Sequence, residues 1–164
     1  MNYSNESVRR QDRLLTENDA KLLLKNGEYG VLSIIDDNGN PYGVPISYAW
    51  DEKDSIYLHS ALEGKKISNL KKNPNVSFTI VGMTNVLQKK FSTEYESIIL
   101  ECKASLNLSI EEKMKGLILL VEKYSPNDIE SGKKYAENVI DETEVIKLLV
   151  LNWSGKGRKL QGGT

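Results

Sequence analysis

The chain has 164 residues, 39% of them hydrophobic and 27% charged, with a formal net charge of −1 at pH 7: enough for one domain with a real core, and too evenly balanced to draw in nucleic acid or an acidic membrane surface. Its single cysteine, Cys102, excludes an internal disulfide framework and, lying in an apolar run, reads as a buried inert thiol. No apolar run approaches the roughly 18 residues that span a bilayer, so the expectation is a cytoplasmic protein with neither membrane nor nucleic acid among its partners.

Residues 1–13 are polar, carry Arg9, Arg10 and Arg13, and read as an N-terminal arm that docks onto something. The domain proper is expected over 14–156. Thr16 is a cap candidate with Asp19 three residues on, and Leu22, Leu23 and Leu24 lead to Asn26-Gly27, which should stop a short helix. From Tyr29 to Ile35 the residues become β-branched and apolar, and Asp37-Asn38-Gly39-Asn40 supplies a hairpin turn. The returning strand, Tyr42 to Trp50, contains Pro45, which removes a ladder donor; that points to an edge, a bulge, or a place where a ligand replaces the partner strand. A turn at 51–54 leads to a third strand, Ser55 to His59. A helix over about 62–72 ends at Asn73-Pro74, a fourth strand covers Val76 to Val81, and a loop is expected from Gly82 past Gln88. Glu96 to Leu106 reads as the fifth strand. Ser109 and Glu112 form a capping box for a helix with Met114, Leu117, Ile118, Val121 and Tyr124 at helical spacing, ended by Ser125-Pro126. A more polar helix follows over about 129–140, then a last strand from Thr143 to Trp153, and residues 157–164 are expected to form a flexible tail. Six antiparallel strands with short early connections predict a mainly β protein, a small closed or nearly closed barrel with peripheral helices, rather than a doubly wound parallel fold.

One histidine, one cysteine and no acidic pair at ligand spacing leave no metal shell, no nucleophilic triad has an assigned base, and there is no Walker loop or GxGxxG. The informative stretch is Tyr57 to Ile67, where a strand runs into a helix start. Helix starts favour acids, so Lys65 and Lys66 in a first turn invite a balancing anion, a phosphate for preference. The competing reading is two lysines solvating a surface helix. His59, the only histidine, precedes Ser60, a cap candidate with Glu63 three residues on, and Gly64 removes a side chain where a ligand could approach. A site of backbone, lysines, one histidine and aromatics suits a cofactor that brings its own chemistry. Tyr48, Trp50 and Tyr57 read as core or dimer packing before stacking partners, and Trp153 reads equally as core or as site.

Six blocks in order, Gly27–Leu32, Tyr42–Tyr48, Ile56–Lys66, Asn69–Phe78, Phe91–Ser97 and Glu122–Pro126, resemble the pyridoxamine 5′-phosphate oxidase-like flavoproteins, most nearly the nitroimidazole-resistance (Nim-type) branch. The resemblance runs from about Arg9 to Lys156. It implies an FMN-binding split β-barrel, homodimeric, with the flavin at the subunit interface; FAD is the alternative flavin. By the same resemblance His59 and Ser60 would lie near the flavin phosphate and ribityl chain, and Lys65 and Lys66 would be the basic positions at the helix start. Val44, Pro45, Ile46 and Ser47 would turn their backbone to the isoalloxazine ring. Thr93, Ser97, Trp153 and Lys156 would approach from the other subunit. That branch often carries His where Lys65 stands.

The function this implies is an FMN-dependent oxidoreductase passing electrons from a reduced nicotinamide or other donor to a small, for instance nitroaromatic, acceptor, with His59 the one candidate for proton traffic or substrate contact. The alternative is a carrier or sensor of a flavin, or of a haem-type ligand, without rapid turnover. Vitamin B6 oxidation ranks below both, because the short segment after Trp153 offers only part of the basic substrate-binding end that such oxidases carry. A protein with no ligand would leave the lysine-bearing helix start and the strand proline without a shared reason.

Overall fold

Residues 1–158 are described by the computed structural model. The chain forms β1 (Asn2–Tyr3), α1 (Glu17–Asn26), β2 (Gly30–Ile35), β3 (Pro41–Ile46), β4 (Ala49–Trp50), β5 (Ser55–Ala61), α2 (Lys65–Lys72), β6 (Asn75–Leu87), β7 (Ser92–Ser105), α3 (Ile110–Tyr124), α4 (Ile129–Val139) and β8 (Thr143–Arg158). The mainly β architecture with peripheral helices is as expected, built from eight strands where six were predicted.

The extra strands have physical causes. The expected second strand divides into β3 and β4, which lie at opposite ends of the path β3-β2-β6-β7-β8-β5-β4. Only Ser47 and Tyr48 join them. A flat sheet would hold its edges about 29 Å apart, six strand spacings, whereas that link spans about 10 Å. The sheet therefore curls until its edges meet, and the link is where the barrel closes. Tyr48 fills the seam: it is fully buried, its hydroxyl donates to the Leu24 carbonyl at 2.6 Å, its N–H donates to the Tyr124 hydroxyl at 3.0 Å, and its ring meets Phe78 edge-on at 5.3 Å. Gly27 permits that approach, since a Cβ there would stand 2.8 Å from the Tyr48 hydroxyl and 2.7 Å from Ile80.

β1 is the other addition. β5 leaves β8 at the Ser55–Leu149 pair, exposing the β8 edge beyond it, and the N-terminal arm takes that edge by pairing parallel at Asn152 and Trp153. Tyr3 packs edge-on against Trp153 at 4.8 Å and donates its hydroxyl to the Leu15 carbonyl at 2.7 Å. The arm docks on its own domain.

The expected loop after Val81 is strand instead. β6 continues to Leu87 and pairs with β7 down to Leu87–Ser92, through a bulge between Val81 and Thr84. This hairpin projects past the core, so neither face is buried and the alternation that marks a half-buried strand is missing from its sequence. β8 likewise runs on past Trp153 through Gly157 to Arg158; the remainder of the expected flexible tail lies outside the described residues.

Alternate residues of the central strands fill the barrel, including the cross-strand row Val44, Leu32, Phe78, Leu100 and Trp153. Cys102 is buried among them, its thiol pushed up to about 12 by desolvation and then by Glu101. A second cluster of Tyr57, Leu117, Ala136 and Val145 lies beneath α3 and α4. Tyr57 belongs to this packing, as expected, and Tyr48 to the barrel seam. Among the described residues no helix is long and apolar enough to cross a membrane.

Candidate functional site

α2 begins without a cap. Its N-cap is Gly64 at φ 130, a left-handed conformation suited to glycine, with no side-chain hydrogen bond to the first turn and nothing within 4 Å of where a Cβ would stand. Ser60, expected as the cap, is instead inside β5, opposite Glu144 of β8. The strand pairing claims it because β8 continues to Thr143 and holds β5 straight through Ala61. The first turn of α2 thus has no side-chain cap, open space beside Gly64, and Lys65 and Lys66 as its first residues.

The lysines differ in their surroundings. The Lys65 ammonium lies 4.4 Å from the centroid of the Tyr42 ring and 3.8 Å from the Asp36 carboxylate. That carboxylate already accepts from the N–H groups of Asn38 and Asn40 in the β2–β3 turn, which hold its pKa down. Lys66 is partly buried and among the described residues has no carboxylate partner; burial lowers its pKa. His59, on β5, has its pKa lowered first by desolvation and then by the Lys66 charge. Part-buried Lys66 and surface-exposed His59 both resist protonation, Lys66 through desolvation and His59 through desolvation and the Lys66 charge; beside an uncapped helix start they fit a bound phosphate.

Pro45 sits on the edge strand β3, which explains why a residue lacking a donor is tolerated there. Val44 and Ile46 share the inward face of β3; Ile46 packs against the core and Val44 is half-buried, opposite Leu32. Pro45 faces out, in a row with Val31, Thr79, Ile99 and Ser154. Ser47, at the seam, lines a cleft of about 610 Å³ with Tyr29, Lys123 and Tyr124.

Ser97 and Lys156 are cross-strand neighbours on the outer face, with Val81 on the other side of Ser97. Thr93 lies farther out on the β6–β7 hairpin, opposite Val86. Trp153 is 2% exposed and packs in the core, which decides its reading for this chain's own interior; among the described residues its buried indole N–H has no partner. The structure therefore unites His59 with Lys66, and Lys65 with β3, but leaves Ser97 and Lys156 apart. His59 is level with Val145 on β8, and from there to Lys156 is about 36 Å of strand path.

Sequence reasoning placed Tyr42 on the returning strand but not beneath Lys65. It missed Lys123, whose ammonium, buried and among the described residues without a hydrogen-bond partner, lies 3.5 Å from the centroid of the Tyr48 ring; desolvation lowers its pKa to about 8. Nothing in the spacing of α3 singles that lysine out.

The sequence model of the pyridoxamine 5′-phosphate oxidase family matches residues 16–157. No curated protein matches the chain by sequence. Among solved structures, a candidate 5-nitroimidazole antibiotic resistance protein from Bacteroides thetaiotaomicron is similar at 25% identity, covering 88% of this chain and 86% of that one with a TM-score of 0.76. An FAD and haem binding protein from Mycobacterium smegmatis shares the fold at 17% identity, 91% and 74% coverage and a TM-score of 0.74. An FAD-binding protein from Mesorhizobium loti does so at 20% identity, 90% and 98% coverage and a TM-score of 0.61.

Proposed function

The chain belongs to the pyridoxamine 5′-phosphate oxidase family, and on that footing we propose that it binds a flavin, FMN with FAD as the alternative, in a homodimer, and passes electrons from a reduced nicotinamide or another donor to a small acceptor. The observation that carries this reading is the uncapped start of α2 with part-buried Lys66, which among the described residues has no carboxylate partner, and His59 beside it. The flavin would supply the electron-transfer chemistry. Lys65, Lys66 and the first-turn N–H groups hold its phosphate. Pro45 and the β3 backbone give its ring a flat wall, with Ser47 at the end of that wall. His59, neutral at pH 7, can accept or donate a single hydrogen bond at the acceptor side, with Ser60 next to it.

Ser97, Thr93 and Lys156 are too distant on their own chain to reach the same ligand, and a second copy would bring them to it. Nitroaromatics are the acceptor class favoured by the likeness to the Bacteroides protein. A flavin carrier or sensor without rapid turnover is the second reading, favoured by relatives described through what they bind. An absorbance spectrum of the purified protein, with the released chromophore identified by mass, tests the cofactor; FMN or FAD recovered supports it, and a colourless protein that takes up neither overturns it. Rapid reduction by NADH or NADPH, with reoxidation by a nitroaromatic, separates the enzyme from the carrier.

A further inference from the structure

The β6–β7 hairpin ends in a tip whose aromatic side chain is exposed. Phe91 is 98% exposed and holds a left-handed backbone at φ 46, a conformation unfavourable to a non-glycine residue. Lys89 and Lys90 precede it in a single 3-10 turn, and among the described residues neither has an ion-pair partner. At the base of the same hairpin, against α1, lies a groove of about 540 Å³. Leu22, Tyr29, Val81 and Met83 line it, each more than half exposed. Glu28 and Glu96 line it and among the described residues have no ion-pair partner; Glu96 accepts a long bond from the Met83 N–H at 3.4 Å.

We propose that the tip of one copy, Lys89 to Phe91, docks in the α1–β6 groove of a second copy, with the reciprocal contact made by the two-fold. An aromatic preceded by two lysines matches a groove that combines apolar side chains with three carboxylates, Asp19, Glu28 and Glu96. The tip cannot satisfy its own groove: the strands stay paired from Thr84 to Leu87, which carries the tip about 13 Å beyond the groove. The bulge between Val81 and Thr84 gives the hairpin its direction, and Gly82 keeps it against α1, since a Cβ there would stand 2.6 Å from Leu23. Such an exchange would also fix where Thr93 and Ser97, on the same hairpin, meet the neighbouring barrel. The inference rests on the dimeric part of the function proposed above and not on the flavin.

The test mixes full-length Phe91→Cys chains with full-length Leu22→Cys chains under mild diamide oxidation; both positions are exposed, and Cys102 is buried. The expected product is a mixed disulfide dimer that neither variant gives alone. In parallel, Phe91→Ser combined with Lys89→Glu and Lys90→Glu should weaken dimerisation by at least about tenfold in sedimentation equilibrium, with an unchanged circular dichroism spectrum. Cross-linking only between like chains, a monomeric wild type, or an undiminished dimer in the triple variant would overturn the inference. Flavin content is read in the same samples: flavin bound with no mixed disulfide removes the tip exchange alone, whereas a mixed disulfide without flavin removes the cofactor reading alone.

Discussion

Two helix starts in this molecule are built in opposite ways. α3 begins at Ser109, whose hydroxyl accepts from the Glu112 N–H at 3.2 Å, with Glu111 and Glu112 in the first turn. α2 begins at Gly64 with no side-chain cap and Lys65 and Lys66 in the acids' place. The first follows the rules by which a helix end stabilises itself, and its Glu112 goes on to accept from Tyr57 at 2.5 Å and Lys147 at 2.6 Å, pinning α3 to the barrel. The second breaks those rules at a place where the fold leaves open space. Under the proposed function, the ligand's phosphate supplies the anion that this helix start lacks.

The sharpest way to break the comparison is Lys65→Glu with Lys66→Glu. If α2 is an anion site, FMN affinity should fall by at least about a hundredfold, each charged contact contributing roughly 1.5–3 kcal/mol. The apoprotein should unfold no more easily, because acids at a helix start contribute about 0.3–1 kcal/mol in the favourable sense. Isothermal titration and thermal melts read the two effects separately, and parallel losses would mean that the lysines are structural. Gly64→Ala should cost about 1 kcal/mol through the positive φ and also weaken FMN, while Ser109→Ala at the conventional start should cost about 1 kcal/mol of stability with FMN affinity unchanged. If Ser109→Ala also lowered affinity, the contrast would fail.

Two pH measurements extend the contrast to basic groups whose pKa the fold lowers. In the unfolded chain the Lys123 amine titrates near 10.5 and in the fold at about 8. The unfolded state therefore holds more protons between those values, so stability should rise as pH increases from 8 to 10.5. Lys123→Met should raise the Tm at pH 7 and flatten that rise. His59 is smaller in effect and has the same sign: its folded pKa lies below the ordinary 6.5, so stability is lost as pH falls from that value to the folded pKa and then levels off. NMR titration of the imidazole should show the pKa moving upward when phosphate or FMN binds, because an anion offsets Lys66. A pKa unmoved by saturating FMN would place His59 outside the site.

The hairpin around Gly39, the Thr16 cap, the edge position of Pro45 and the burial of Cys102 were legible because each depends on a few neighbouring residues. The Thr16 hydroxyl does accept from the Asp19 N–H, at 3.1 Å. The lysine pair of α2 was legible as a violation of the same local rules. Ser60 misled, because a residue that suits a cap by sequence was held in a strand by β8, a partner more than 80 positions away. The hairpin beyond Val81 was read as loop because an arm with both faces exposed carries no burial alternation.

What the sequence determined by itself is the set of local commitments: where the chain turns, which residues face inward on each central strand, and that one helix start is charged against its own dipole. The tertiary structure decided how these combine. Closure of the barrel at Ser47-Tyr48, the arm laid on the β8 edge, Tyr42 beneath Lys65 and the separation of Lys156 from His59 all depend on strand order and curvature. Those are long-range pairings, and no local rule of spacing or propensity specifies which strands meet.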